Sequence, residues 1–257
     1  MVIIKYVGSK SRIAKHIVPI IQLYIDQSNA SFYLEPFVVG GANVIDKISC
    51  DKKIGYDINH YLIEMFEHRN LICKLPDEIT KEEYDAVRKS YQAGDGKYPD
   101  WYIGAIGFLA SYNGKFFGGR AGIVKTKIGT IRNYYDEAKR NLLSQIPFLD
   151  DVIFGEFDYK QLDMSQFKHG VIYCDIPYKN TTGYQDSFNH DEFWQWAEEC
   201  SKENIVLVSE QVAPDTWRSV WSKPVKRTLD NASRIDITEQ LYIFTNNGVF
   251  NKERTML

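Results

Sequence analysis

The residues best suited to chemistry form a short loop, Asp175-Ile-Pro-Tyr178, directly after an apolar run at 171–174. The apolar run predicts a buried strand, and open α/β sheets bind their ligands at the carboxyl ends of strands. Pro177 restricts the backbone, so the Asp175 carboxylate and the Ile176 carbonyl form a stiff pair of hydrogen-bond acceptors. Tyr178 adds a flat ring for stacking. The loop therefore suits the exocyclic amine of a nucleobase, with a plain surface turn as the alternative.

A second predicted strand, at 32–35, leads into a glycine turn at Gly40 and Gly41 and then into a predicted helix at 42–48. Glycine lets the backbone approach a ligand closely, so this order predicts a nucleotide-type binding turn. The G-x-G-x-x-G spacing of the dinucleotide fingerprint is absent.

Asp57 follows the next predicted strand, at 53–56. In nucleotide-binding sheets, an acid at this position accepts hydrogen bonds from the ribose hydroxyls. Asp is also a common helix N-cap, and a helix is predicted to begin near Tyr61. Asn59 is able to cap that helix instead, so Asp57 remains a candidate for binding a sugar.

Lys10 precedes a predicted helix whose apolar residues follow the helical period, namely Ile13, Ile17, Ile20 and Tyr24. Pro19 should kink this helix or lie near its start. At a helix N-terminus, an ammonium group and backbone amides bind a carboxylate well. Taken by itself, however, Lys10 is better explained as an ordinary solvated lysine, since the spacing of a P-loop is absent.

Taken together, these motifs resemble those of the Dam-type (class alpha) site-specific DNA adenine methyltransferases, which use S-adenosylmethionine. The matching motifs occur in the family's order and span most of the chain: Tyr6-Val-Gly-Ser-Lys10, Glu35-Pro-Phe-Val-Val-Gly-Gly41, Asp57-Ile-Asn59, Ser111-Tyr-Asn-Gly-Lys115, Phe157-Asp158 and Asp175-Ile-Pro-Tyr178. The family usually has Asp-Pro-Pro-Tyr in the last motif, whereas this chain has Ile176. Because only the carbonyl of that residue is used in the family, the chemistry is expected to survive the change.

The resemblance implies an α/β fold, a Rossmann-like methyltransferase sheet with an inserted, mostly helical target-recognition domain. Residues 1–60 and 150–257 would form the catalytic domain, and residues 61–149 would form the DNA-binding insertion. The cofactor would be S-adenosylmethionine, and the reaction would be methylation of the N6 amine of a flipped adenine in duplex DNA. No metal is implied, and the enzyme is expected to act as a monomer.

The resemblance also assigns roles to individual residues. The catalytic set is Asp175, Ile176, Pro177 and Tyr178. The cofactor-binding set is Tyr6, Lys10, Phe37, Gly40, Asp57, Phe157 and Asp175. Alternatives remain at this stage: methylation of the N4 amine of cytosine, methylation of RNA or protein, or a catalytically silent DNA-binding protein with the same fold.

A basic segment at 112–133 is the candidate for DNA contact. It contains five cationic residues and no acidic one, and its cations are Lys115, Arg120, Lys125, Lys127 and Arg132. Five glycines and the pair Phe116 and Phe117 lie in the same segment. This composition favours contacts of the cations with phosphates and insertion of the aromatic pair at a base step. The alternative for the segment is a solvated loop. The more common role of such an aromatic pair is core packing.

Overall composition limits these choices only weakly. With 257 residues, 44% hydrophobic content and a formal net charge of −3, the chain is long enough for a good core and is not a uniformly basic nucleic-acid binder. The four cysteines are scattered, which predicts no zinc site and no disulfide framework. Cys174 is predicted to be buried packing rather than a nucleophile. Without a membrane-length apolar run or signal peptide, we expect a cytoplasmic protein, bacterial or phage-encoded.

Overall fold

The computed structural model describes residues 10–38, 42–125, 129–178, 188–228 and 234–245. Three predicted site residues, Tyr6, Gly40 and Lys127, lie outside the described residues. The chain divides into two compact units. The first unit takes its described residues from 1–14, 38–47 and 55–157, and the second unit takes them from 15–37, 48–54 and 158–257.

The described chain mixes helices with strands, as an α/β protein requires. The helices are α1 Ala14–Ser28, α2 His60–Glu67, α3 Lys81–Ala93, α4 Asp100–Leu109, α5 Tyr134–Gln145 and α6 His190–Cys200. The strands are β1 Tyr33–Glu35, β2 Lys53–Asp57, β3 Ile123–Lys125, β4 Ile131–Asn133, β5 Val152–Glu156, β6 Val171–Asp175, β7 Ile205–Glu210, β8 Trp217–Thr228 and β9 Arg234–Phe244.

In the second unit, the sheet runs in the order β2, β1, β6, β7, β9, β8, with β2 contributing its first residues. Strand β6 is parallel to β1 and to β7, whereas β9 is antiparallel to β7 and to β8. All five residues of β6 are buried, which is typical of a parallel strand covered on both faces. The strand order reverses between β1 and β6, and such a switch point is where open α/β sheets bind ligands.

In the first unit, β5 lies next to the last residues of β2. A Cβ atom on Gly55 would lie 3.0 Å from both Phe154 and Val38, so this part of β2 accepts little more than a glycine. Helices α2 to α5 supply most of this unit, and local sequence explains their limits. Thr80 caps α3 by accepting a hydrogen bond from the Glu83 amide, and Gly94 ends it in the left-handed conformation.

The structure corrects two sequence predictions about elements. The predicted helix at 42–48 is wrong, because the described residues there form only a short 3₁₀ turn at Ile45–Lys47. The apolar residues at 240–244 predict one carboxy-terminal strand, but β9 already begins at Arg234 and pairs with β8, which the sequence did not predict. Pro19 lies inside α1 on an exposed position. No helix in the described part of the chain has the length and apolar character to span a membrane.

Candidate active site

The Asp-Ile-Pro-Tyr loop begins where β6 ends, as the sequence predicted. Asp175 is the last residue of β6, pairs in register with Ser209 of β7, and is only 8% exposed. The Ile176 side chain is buried as well. A carboxylate is thus held at the carboxyl end of a strand that flanks the switch point, followed directly by a backbone carbonyl.

Cys174 is completely buried, which confirms the prediction that it is packing. Burial raises the pKa of the Cys174 thiol well above its usual value, so the thiol stays protonated. A thiolate nucleophile is therefore excluded at this position.

Two side chains from distant parts of the second unit hold the loop. His190, the first residue of α6, donates from Nε2 to the Pro177 carbonyl oxygen at 2.9 Å. The Tyr178 hydroxyl donates to Glu239 Oε2 on β9. Sequence reasoning missed both His190 and Glu239. Tyr178 and Glu239 are 61 positions apart, so no local pattern links them.

The edge of the sheet around this loop is rich in buried acids. Glu35 ends β1, Glu210 ends β7, and both are 3% exposed. The Tyr33 hydroxyl donates to Glu35 Oε1 at 2.8 Å, and burial raises the pKa of Tyr33 well above its usual value. Together with Asp175, these groups give the strand ends a negative electrostatic character, which favours a cationic ligand.

In the first unit, Asp57 is a buried carboxylate whose position is locally defined. The Asn59 amide donates to Asp57 Oδ1 at 2.8 Å, while Asn59 itself caps α2 by accepting from the Leu62 amide at 3.1 Å. The alternative in which Asp57 serves as the cap is therefore wrong. Burial raises the pKa of Asp57 to about 6, although hydrogen bonds from the Asn59 and Ile58 amides oppose this rise.

Phe157 lies beside Asp57, since the Phe157 amide donates to the Asp57 carbonyl oxygen at 3.0 Å. Its ring packs against Tyr56, with 4.7 Å between ring centroids, and remains 43% exposed. Ile58 is 69% exposed, an unusual position for a large apolar side chain directly after a buried acid. Sequence reasoning did not single out Ile58. The structure thus brings Asp57 and Phe157 together and adds exposed apolar surface next to them.

Lys10 is buried and Phe37 is half-buried. Lys10 lies in a 3₁₀ turn, Lys10–Arg12, just before α1, and is 7% exposed, so the interpretation as a solvated lysine is wrong. In the second unit, Phe37 packs in an aromatic cluster with Tyr159, Phe188 and Phe193, at centroid distances from 5.2 to 5.9 Å. The cofactor-binding roles of Lys10 and Phe37 stay predictions.

The cations of the basic segment fall into two sets. Arg120 donates from Nε and Nη2 to the Ile79 carbonyl oxygen, at 3.0 and 2.6 Å. Arg132 forms a bidentate pair with Glu137, at 2.7 and 2.5 Å. Lys115 and Lys125, in contrast, are exposed. The arginines therefore have partners inside the protein, and the described lysines face solvent.

The aromatic pair of this segment is packed inside the first unit. Phe117 is buried and stacks on Tyr91, and Phe116 packs against Tyr61 and Phe108. The idea that Phe116 or Phe117 fills a gap in DNA is wrong, because both rings are committed to this cluster. The antiparallel pair β3 and β4 exposes aliphatic side chains instead, with Ile123 48% and Ile131 77% exposed.

The fold is α/β, as predicted, with parallel strands at the centre of the sheet and the acceptor loop beside its switch point. Comparison with known proteins shows similarity to one family over part of the chain. Residues 6–99 match the model of the D12 class N6 adenine-specific DNA methyltransferases. This match includes Lys10 and Asp57 and ends before the loop at 175–178. This similarity confirms the sequence prediction of adenine-specific DNA methylation.

Two type II methyltransferases agree with the family match. The type II methyltransferase M.MjaIII of Methanocaldococcus jannaschii is 24% identical over 217 residues, which is 74% of this chain and 74% of the relative. The type II methyltransferase M.FokI of Planomicrobium okeanokoites is 26% identical over 220 residues, covering 76% of this chain and 32% of that longer protein. Among solved structures, the rRNA methyltransferase aviRa of Streptomyces viridochromogenes covers 94% of this chain and 86% of its own, at 9% identity and a TM-score of 0.43.

Proposed function

We propose that the loop at 175–178 binds the N6 amine of an adenine that has been flipped out of duplex DNA. The Asp175 carboxylate and the Ile176 carbonyl oxygen accept the two N–H groups of the amine, and Tyr178 stacks on the base. Stacking of a base on an aromatic side chain is worth about 1–3 kcal/mol. The observation that carries this proposal is the buried carboxylate of Asp175 at the end of β6, beside the switch point of the sheet.

The acceptor pair addresses the chemical difficulty of the reaction. The N6 amine is a weak nucleophile because its lone pair is delocalised into the purine ring. Two hydrogen bonds to Asp175 and Ile176 pull the nitrogen towards tetrahedral geometry and concentrate its electron density. A preorganised charge of this kind stabilises the positive charge that develops on nitrogen during transfer. The amine becomes acidic only after it is methylated, so Asp175 need not be a strong base.

The supports of the loop serve positioning. His190 fixes the Pro177 carbonyl, and Glu239 fixes the hydroxyl end of the Tyr178 ring. Direct displacement requires the nitrogen to approach the methyl carbon in line with the leaving sulfur, and misalignment is costly. A loop held at both Pro177 and Tyr178 presents its acceptors in one orientation.

The cofactor-binding residues fit S-adenosylmethionine, which supplies a methyl group on a positively charged sulfonium when it is bound. In the first unit, Asp57 accepts hydrogen bonds from the ribose hydroxyls, and the exposed side chains of Ile58 and Phe157 provide apolar surface for the adenine ring. Lys10 pairs with the carboxylate of the amino acid part.

Within 61–149, which we propose as the target-recognition domain, the exposed lysines contact phosphates. Lys115 and Lys125 face solvent, and Lys125 lies on β3 next to exposed aliphatic side chains. Arg120 and Arg132 are already bound to the Ile79 carbonyl and to Glu137, so they are weaker candidates for DNA contact. Lys127 completes the proposed set. We further propose that the enzyme acts in the cytoplasm as a monomer, and sedimentation velocity with and without duplex DNA tests the monomer.

The function is tested by sequencing DNA from a host that lacks its own DNA methylation and expresses the protein, with detection of base modification. The expected result is N6-methyladenine at every copy of one short sequence. Expression of the Asp175→Asn variant at equal level is the matched control and should leave the DNA unmodified. N4-methylcytosine in place of N6-methyladenine would contradict the proposal, as would modification confined to RNA.

A further inference from the structure

His60 forms a clasp between two carboxylates in the first unit. It is the first residue of α2, and its Nδ1 lies 2.7 Å from Glu156 Oε2, at the end of β5. Its Nε2 lies 2.9 Å from Asp100 Oδ2, at the start of α4. Both ring nitrogens therefore face acceptors, and only the doubly protonated imidazolium donates to both at once.

The clasp joins the two backbone segments that carry the proposed ribose and adenine contacts. On one side, His60 follows Asn59, whose amide donates to the Asp57 carboxylate. On the other side, Glu156 is followed directly by Phe157, whose amide donates to the Asp57 carbonyl oxygen. Movement of Glu156 away from His60 would therefore carry Phe157 away from Asp57.

We propose that His60 is a positioning residue for the cofactor, because its contacts with Asp100 and Glu156 hold the segments of Asp57 and Phe157 in their binding arrangement. The inference rests on the proposed cofactor-binding role of Asp57. His60 itself needs no contact with the cofactor.

The charges around His60 give the clasp a characteristic dependence on pH. The groups that face it are Asp100 from α4, Glu156 from β5 and, on its own helix, the Tyr61 ring at a centroid distance of 5.1 Å. The hydrogen bond to Asp100 raises the pKa of His60 most, followed by the one to Glu156. The clasp is therefore complete below this raised pKa and loses one of its two donors as the pH rises through it.

Protonation has the opposite effect at Asp57, where it should weaken cofactor binding. Protonation removes the negative charge and makes one carboxyl oxygen a donor, so cofactor affinity should fall as the pH drops below about 6. The affinity of the wild-type protein should then be highest between the pKa of Asp57 and the pKa of His60. Removal of His60 should lower the affinity near neutral pH to its alkaline level, so the decline on the alkaline side disappears. The decline on the acidic side, which depends on Asp57, should remain.

The test is calorimetric titration of the full-length protein with S-adenosylhomocysteine, as a stable probe, from about pH 6 to about pH 9. His60→Gln should bind roughly fivefold more weakly than wild type near neutral pH, the size of effect expected for a partly exposed charge pair. The ratio of the two affinities should approach one at the alkaline end. Glu156→Gln should show the same convergence.

His68→Gln is the matched control. His68 directly follows the same helix, and its side chain is 45% exposed, against 40% for His60. Among the described residues, its side chain contacts Glu64. This variant should keep the wild-type curve. The inference is overturned if His60→Gln binds as wild type does, if its weakening is the same at every pH, or if His68→Gln weakens binding equally.

Asp57→Ala separates this inference from the proposed function. If Asp57→Ala leaves affinity unchanged, the cofactor assignment in the first unit fails, and the role of His60 fails with it. If Asp57→Ala weakens binding while His60→Gln does not, only the positioning role of His60 is wrong. Thermal unfolding of each variant without the probe checks that the fold is retained.

Discussion

The loop at 175–178 and the basic segment at 112–133 were both predicted to be functional from residue types, and the structure treats them differently. In the loop, the predicted carboxylate lies at the end of a buried strand, and His190 and Glu239 hold the neighbouring residues. In the basic segment, the arginines bind acceptors within the protein and the phenylalanines pack in an aromatic cluster, whereas Lys115 and Lys125 are exposed.

This difference shows that the type of a charged residue does not determine where its side chain lies or which partner it binds. A carboxylate directly after an apolar strand has one available position, because the strand fixes where the chain emerges. A cation in a glycine-rich segment has many positions, and its role depends on which acceptors lie nearby. The Ile79 carbonyl captures Arg120, and the Glu137 carboxylate captures Arg132. The arginines thereby stabilise the segment, and the lysines are the better candidates for DNA contact.

The largest expected effect is at the loop. Asp175→Asn keeps the side-chain volume and removes the charge, so the rate of methyl transfer should fall by about a thousandfold. Ile176→Pro is the matched comparison, since it keeps the backbone carbonyl and restores the usual family motif. It should retain most of the rate while lowering the unfolding temperature, because the buried Ile176 side chain loses packing. Single-turnover kinetics checks both, and comparable rates in Asp175→Asn and wild type would refute the role of the carboxylate.

The next effect concerns Asp57, where function and stability should move in opposite directions. Asp57→Asn should weaken S-adenosylmethionine binding by about tenfold or more, through loss of a charge-assisted hydrogen bond. Burial raises the pKa of Asp57 to about 6, above its unfolded value, so the folded protein loses stability as the pH rises towards 6. At neutral pH, the uncharged variant should gain about 2–3 kcal/mol in the free energy of unfolding.

Calorimetric titration and urea denaturation measure these two effects of Asp57→Asn separately. A variant that binds more weakly but is also less stable would show that Asp57 is a structural residue. A variant with unchanged affinity would remove Asp57 from the cofactor site.

The two sets of cations should separate in a salt series. Replacing Lys115 and Lys125 together with Gln should weaken binding to cognate and scrambled duplexes alike and reduce the salt slope by roughly two units. Arg132→Gln breaks the pair with Glu137, so it should lower the unfolding temperature and leave the slope nearly unchanged. Fluorescence anisotropy across a range of salt concentrations measures the DNA affinity and salt slope of each variant. If the arginine variant alters the slope and the double lysine variant does not, the division of roles is reversed.

The smallest effect is expected at Tyr178. Tyr178→Phe keeps the stacking ring and removes the hydrogen bond to Glu239, so transfer should slow roughly three- to tenfold. Tyr178→Ala, which also removes the ring, should be much slower. Equal rates in the Phe and Ala variants would show that the ring does not stack on the target base.

The sequence was informative where a property is local. The apolar run before Asp175 predicted β6, and the pattern at 53–56 predicted β2 with Asp57 at its end. The helix predicted at 42–48 failed because β-branched residues and Asn43 support only a 3₁₀ turn there. Strand β8 was missed because its alternation is interrupted by Pro224, which an edge strand tolerates.

Local sequence patterns do not predict the contacts that support the site. Tyr178 meets Glu239 across 61 positions, and His60 meets Glu156 across 96. Histidine and glutamate at these positions look like ordinary surface residues in the sequence. Their roles emerge only when the fold brings strand ends and helix starts together.

The most direct test of the central claim is a crystal structure of the protein with its cognate duplex and S-adenosylhomocysteine. The target adenine should lie outside the helix, with its N6 atom about 2.7–3.2 Å from both the Asp175 carboxylate and the Ile176 carbonyl oxygen. The Tyr178 ring should stack on the base. An adenine that remains stacked in the duplex, or an N6 amine that contacts neither acceptor, would contradict the account.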